Sequence, residues 1–330
     1  MKALVYTQAN EVSYRDEPAP SRDANEVLIE IDAVGICGSD MHAYHGHDPR
    51  RVPPLILGHE LAGRVLEGPG AGRRVTVNPL ITCGACEYCR QGRDNLCENR
   101  TMIGMTRAGG FAELMTTAAN SVIDIPQDMS ERAAALTEPA ATVVHAVDMA
   151  TRALVRPLPE CRVLVLGAGA IGLLSALLVG RYGVRRITVA ETNALRRAAA
   201  RKTAELNVYD PMADAPVNDA TVDLVIDAVG ARSTRNAALA AVKPGGVVMH
   251  IGLMDHASEI DMRKLTLAQI TLIGAYTYTT TDLRAAVAAL HEGVFGDLCW
   301  VEERPLAEGA AAFRDLHEGR SAAAKILLRP

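Results

Sequence analysis

The sequence predicts an α/β protein in which an irregular, mostly β domain is joined to a doubly wound parallel sheet. Three observations predict it. Residues 1–142 are rich in Gly, Pro, Cys and His and carry short alternating apolar runs such as VLIEIDAVG (27–35), the pattern of strands and loops. Residues 143–285 change to continuous apolar runs separated by helical lengths: VLVLGAGAIG (163–172), ITVAE (187–191), DLVIDAVG (223–230) and GVVMHIGL (246–253). Strands that are apolar on both faces and spaced by helices belong to a parallel sheet covered on both sides. Residues 286–330 hold a short helix near Phe313 and the strand KILLRP. No full strand–helix–strand unit precedes that strand, so it is expected to return to the first domain.

The 330 residues suffice for two domains, each with its own core. Hydrophobic residues make up 49% and charged residues 22%, an ordinary globular balance. Aromatics reach only 4%, so Ala, Val, Leu and Ile must fill the cores. A formal net charge of -5 argues against nucleic acid as a partner, which needs a basic face. No apolar run is long enough to span a membrane, and MKALVYTQ lacks the apolar centre of an export signal. A cytoplasmic location is therefore expected. In that reducing compartment the seven cysteines are thiols or metal ligands rather than disulfides.

Cys83, Cys86, Cys89 and Cys97 are spaced C-x2-C-x2-C-x7-C. Two-residue gaps let neighbouring thiolates turn toward one ion, and four sulfurs complete a closed tetrahedral zinc shell. An iron–sulfur cluster is open to the same spacing. A closed shell leaves no position for substrate, so this site is structural. Cys161 and Cys299 have no partner by spacing and read as buried small residues.

A second set is dispersed: Cys37 in GICGSD, His59 and Glu60 in LGHE, and Glu138 in LTEPAA. Alone, each has a bland reading as a core residue or a first-turn carboxylate. Together a Cys, a His and a carboxylate make an open set of mixed softness with a fourth position for water or substrate. Such a metal stabilises the alkoxide that gives up hydride in alcohol oxidation. Ser39 is placed to accept the hydroxyl proton, and His42 to pass it on because its pKa lies near working pH. Asp40 is placed to hydrogen-bond the far nitrogen of His59. Ordinary helix-capping chemistry is the bland reading of Ser39 and Asp40.

Gly167, Gly169 and Gly172 form G-x-G-x-x-G between the strand VLVL and a helix, with Ala170 and Ile171 inside the motif. In that context the glycines allow a tight turn and the helix N-terminus receives a pyrophosphate. Glu191 follows 19 residues after the last glycine, where a carboxylate holds ribose hydroxyls and repels a 2'-phosphate. NAD is therefore expected over NADP. Arg196 and Arg197 complicate this, since a nearby Arg can accommodate that phosphate, and Arg196 can also touch the ribose of NAD.

With both zinc patterns and the nucleotide motif present, the sequence resembles the zinc-containing medium-chain alcohol, sorbitol and threonine dehydrogenases. The resemblance runs from GICGSD and GHE through NPLITCGACEYCRQGRDNLC and GGFAEL to VLVLGAGAIG, DLVIDAVG, KPGGVV and KILLRP. It implies a GroES-like catalytic domain around a Rossmann domain. It also implies zinc at Cys37, His59 and Glu138, with Glu60 close enough to exchange, and so two zinc ions per chain. Ile251, Gly252, Leu253, Ala275 and Tyr276 fall where the family lines the nicotinamide pocket. A homodimer or homotetramer is implied as well, and the apolar stretch near Ile270–Tyr278 can supply a pairing edge.

Glu138 in place of the Cys of simple alcohol dehydrogenases points within the family to a polyol or sugar alcohol. The rivals are amino-alcohol oxidation of the threonine 3-dehydrogenase type and a non-catalytic, zinc-stabilised dinucleotide sensor. HGHDPRR (45–51) reads as a solvated loop whose polar side chains can meet hydroxyls or a phosphate. Two segments depart from the family pattern: 63–77 is short, as if a hairpin were trimmed, and 203–222 leaves little room for a crossover helix.

Overall fold

A computed structural model describes residues 1–204, 206–214, 217 and 220–330. The chain opens with β1 (Lys2–Gln8) and β2 (Glu11–Asp16), followed by β3 (Glu26–Gly35), α1 (Gly38–Tyr44), β4 (Leu55–Ile56), β5 (Glu60–Glu67) and β6 (Arg74–Val77). The next segment holds β7 (Leu80–Ile81), α2 (Glu87–Arg90), β8 (Thr101–Met102), β9 (Leu114–Ala118), β10 (Val122–Asp124) and α3 (Glu131–Ala135). The long helix α4 (Thr137–Ala153) then runs through residues 142 and 143, so no break falls at that point.

The second body contains β11 (Arg162–Leu166), α5 (Ala170–Arg181), β12 (Arg186–Ala190), α6 (Ala194–Thr203), β13 (Asn207–Tyr209) and β14 (Val222–Asp227). It continues with α7 (Arg232–Ala241), β15 (Val242–His250), α8 (Met262–Leu267), β16 (Thr271–Gly274) and α9 (Thr280–His291). Its six strands are parallel in the order β13-β12-β11-β14-β15-β16, a doubly wound sheet. Among the described residues no helix joins β13 to β14, and part of the compact 203–222 segment lies outside them. The core on that face of the sheet is accordingly the smaller one, centred on Leu164, Leu166, Val225 and Val248. The opposite face is covered by α4, α5 and α9, whose buried Ala140, Ala146, Ala150, Ala176 and Ala286 let the backbones approach closely.

The chain then forms β17 (Val301–Pro305), α10 (Gly309–His317) and β18 (Lys325–Arg329). β18 pairs antiparallel with β3 and parallel with β17, which closes the first domain's seven-stranded sheet. The core of this domain gathers Leu61, Phe111, Phe313, Ile326 and Leu328. The short 63–77 segment is a tight hairpin: β5 pairs β6 from Ala62–Thr76 to Arg64–Arg74, and Gly68, Gly70 and Gly72 turn between them with positive φ. Cys161 is buried, but Cys299 is exposed, contrary to the sequence reading. Its neighbours Leu298 and Trp300 both turn into the core, and Cys299 between them faces out.

Candidate active site

Antiparallel pairing of β3 with β5 brings the dispersed residues together. Gly35 at the end of β3 lies opposite Glu60 at the start of β5, so Cys37 and His59 meet across that junction. Cys37 caps α1, and its N–H donates to Asp40 Oδ2 at 3.0 Å. One donor atom each from Cys37, His59 and Glu60 lies within 4.8 Å of the others. His59 Nδ1 faces Asp40 Oδ1 at 3.5 Å, too long for a hydrogen bond, and neither buried atom has another partner. His59 Nε2 lies 3.4 Å from Ser39 Oγ. Sulfur, imidazole nitrogen and carboxylate oxygen around one point fit a zinc ion with an open position.

Glu138 stands beside this trio without completing it. It occupies the first turn of α4, is buried, and its Oε1 accepts from the Tyr278 hydroxyl at 2.9 Å. Burial pushes its carboxyl up to about 7 against the pull of His59. Of the two carboxylates expected at the metal, Glu60 lies within the 4.8 Å group and Glu138 lies outside it. Glu60 is held by Lys325, whose ammonium donates to both carboxylate oxygens at 2.7 and 2.5 Å and to the Ile36 carbonyl at 2.8 Å.

The proposed relay partners are arranged differently from the sequence expectation. Ser39 Oγ accepts from Arg51 Nη2 at 3.2 Å, and among the described residues no hydrogen bond joins Ser39 to His42. His42 is half-buried, and burial followed by nearby His47 lowers its pKa. Gly46, His47, Pro49 and Arg50 are exposed, as a solvated loop requires, but Arg51 at the end of HGHDPRR is only 2% exposed. Its guanidinium donates to Asp48 at 2.6 Å and to the Gly104 carbonyl at 3.0 Å, so this one side chain turns inward with its counter-charge.

The four cysteines form a separate cluster in which all sulfurs lie within 4.8 Å. Backbone N–H groups of Ala85 and Cys86 draw the Cys83 thiol down to about 6, whereas burial and the neighbouring thiols push Cys89 up to about 12. Four sulfurs and no oxygen or water position fit a closed zinc shell.

On the second body, Gly167 has φ 96°, and a Cβ on Gly172 would overlap the Gly167 carbonyl oxygen. A Cβ on Gly169, the cap of α5, would meet nothing within 4 Å, so an open cradle lies over the helix N-terminus beside Ala170 and Ile171. Glu191 follows β12 directly, and its carboxylate accepts from Ala168 N at 2.8 Å and Asn193 N at 2.7 Å. Arg196 Nε is buried without a partner, as expected of a group that meets a ligand there. Arg197 is tied to the Glu191 and Thr192 carbonyls and to Asp210. Ile251, Gly252 and Leu253 follow β15, and Ala275 and Tyr276 follow β16. These strands are parallel neighbours, so the two segments share the sheet edge that carries the glycine turn. A dinucleotide fits that edge.

Comparison with known proteins agrees with this geometry. The alcohol dehydrogenase GroES-like domain family matches residues 23–127, and the zinc-binding dehydrogenase family matches residues 170–292. L-galactonate-5-dehydrogenase of Escherichia coli K12 is 32% identical over 97% of this chain and 96% of its own. The chain belongs to the zinc-containing alcohol dehydrogenase family. L-threonine 3-dehydrogenase of Mesorhizobium japonicum is 32% identical over 89% of this chain and 88% of its own. The solved structure of a zinc-binding dehydrogenase from Sinorhizobium meliloti 1021 bound to NADP has a TM-score of 0.86 and 28% identity, covering 100% of this chain and 99% of that one.

Three side chains of this alcohol dehydrogenase escaped sequence reading. Arg51 reaches Ser39, Tyr278 reaches Glu138, and Lys325 reaches Glu60. The only signals available were a basic residue in a polar run, an aromatic residue near an edge strand and a cation inside an apolar terminal strand. The last is the strongest, because a lysine flanked by Ile, Leu and Leu in a buried strand needs a buried anion.

Proposed function

We propose that this dehydrogenase oxidises a secondary hydroxyl of a polyol or sugar-derived substrate to a ketone, with NAD as hydride acceptor. The near full-length similarity to L-galactonate-5-dehydrogenase carries the substrate class, and Glu138 supports it. When bound, zinc held by Cys37, His59 and the carboxylate of Glu60 or Glu138 would supply Lewis acidity, and NAD would supply the hydride acceptor.

The chain's own side chains supply positioning and proton acceptors. Ser39 Oγ accepts from Arg51 and lies 3.4 Å from His59 Nε2, at the edge of the cluster. The Arg51 cation also favours negative charge developing beside Ser39. His42, whose pKa burial lowers, is neutral at working pH and able to take a proton. Glu138, held by Tyr278, is a second buried carboxylate beside the cluster. Glu191 at the ribose position supports NAD, with Arg197 already engaged elsewhere.

A cytoplasmic homo-oligomer is part of the same reading. β16 is the outer strand of the parallel sheet, and Leu267 and Leu272 beside it are exposed, which supports pairing of two copies along that edge.

Similarity to a threonine 3-dehydrogenase favours a second reading, oxidation of an amino alcohol. Steady-state rates on polyols, sugar acids, phosphorylated polyols and L-threonine, each with NAD and NADP, separate the two. The proposal expects the highest kcat/KM for a polyhydroxy compound with NAD. Preference for L-threonine would establish the second reading, and turnover of any of these excludes a non-catalytic sensor.

A further inference from the structure

The four-cysteine lobe is fastened to the loop after β16 by side chains that neither a zinc shell nor a sheet requires. Asp94 and Asn95 form a short 3-10 turn that leads into Cys97. Asn95 is buried and donates Nδ2 to the Tyr276 carbonyl at 2.9 Å. Asp94 accepts from the Thr280 backbone N–H at 3.2 Å and from its hydroxyl at 2.5 Å. Arg100, just past Cys97, donates to the Tyr276 hydroxyl at 3.2 Å, with its guanidinium 4.9 Å from the ring centre.

The same loop reaches the cluster from its other side, because Tyr278 donates to Glu138. Thr277 between them has φ 46°, a left-handed conformation that a β-branched residue rarely adopts. Its hydroxyl is buried without a partner. The loop therefore does not hold this shape by local preference. Contacts at both ends impose it.

We propose that Asp94 and Asn95 are positioning residues for the dinucleotide. The cysteine lobe is a strut that sets residues 275–280, and through them the nicotinamide side of the cofactor pocket. This rests on the reading that Ala275 and Tyr276 border that pocket.

The test is the NADH dissociation constant, read by fluorescence on enzyme loaded with zinc at both sites. Zinc content and melting temperature are followed in parallel. Asn95→Ala and the isosteric Asn95→Asp each remove the donor to Tyr276 and should raise the constant about tenfold, the scale of one buried hydrogen bond. KM for NAD should rise likewise, with kcat within about twofold of wild type. Gln91→Ala, which removes a contact only to Glu87 on the outside of the lobe, should change neither. If Asn95→Ala loses the lobe's zinc, Thr280→Val carries the test from outside the lobe and should show the same rise. Ala275→Phe obstructs the pocket itself and tests the underlying placement. A raised constant in Ala275→Phe with unchanged binding in the Asn95 and Thr280 variants overturns the strut while the placement stands. Unchanged binding in Ala275→Phe overturns both.

Discussion

Replacing Lys325 by Met tests how the two ends of the chain are held together. Lys325 and Glu60 are 3% and 1% exposed, and the lysine ammonium is hydrogen-bonded to both carboxylate oxygens and to the Ile36 carbonyl. Met fills nearly the same space without charge. It leaves Glu60 as an uncompensated buried anion, a change that costs about 3–5 kcal/mol. Glu60→Gln should cost a similar amount, because it strands the lysine instead. The double variant places Met beside a neutral amide, so its loss should fall short of the sum of the single losses by at least about 2 kcal/mol. Urea unfolding followed by circular dichroism measures all four proteins after chelation of zinc from the Cys37–His59–Glu60 site, because a bound cation would also compensate Glu60. Single losses under about 1 kcal/mol, or losses that add within about 0.5 kcal/mol, would refute the reasoning.

The remaining predictions concern the metal clusters, the glycine turn and acid stability. Cys37→Ser should abolish alcohol oxidation and leave the lobe's zinc and the fold intact, whereas Cys89→Ser should lower the melting temperature by removing a closed site that contributes folding energy. Zinc analysis with thermal melts checks the pair, and an unchanged melt in Cys89→Ser counts against a structural role. Gly172→Ala forces overlap with the Gly167 carbonyl and should destabilise by roughly 1–3 kcal/mol, while Gly169→Ala fills open space and should weaken NADH binding at unchanged stability. Asp48 bears on acid stability. Its partial burial favours the neutral acid, but Arg50 and Arg51 outweigh this and hold its carboxyl at about 2, below the ordinary 3.8. The stability it contributes is therefore present above about pH 4 and lost as pH falls toward 2. Asp48→Asn should flatten the acid-unfolding curve in that window, and an identical curve would contradict the pairing.

The parts of this molecule that were legible in sequence are those whose chemistry is local. The glycine turn declares itself because strand, turn and helix are contiguous, and the four-cysteine cluster because its thiols are close neighbours in sequence. Glu138 was less legible, since its side chain is set by Tyr278, 140 residues away. Arg51 was misread for a related reason. A polar run of His, Asp and Arg has the composition of a solvated loop, and only the hydrogen bonds that Arg51 donates to Asp48 and to the Gly104 carbonyl show that its last residue turns inward. Cys299 failed because alternation along a short turn, rather than residue type, decided which side chains were buried.

The position of β18 has a consequence for synthesis on the ribosome. Glu60 meets its counter-charge only when Lys325 emerges, 265 residues later. At about 5–20 residues per second, roughly 13 to 50 s pass between the two. The last strand of the parallel sheet, β16, ends at Gly274, so that sheet can form within this interval. The sheet bearing the cysteine–histidine cluster stays incomplete until β17 and β18 arrive. The nascent protein is thus expected to acquire its nucleotide fold first and its catalytic centre last, with the open edge of β3 exposed in between.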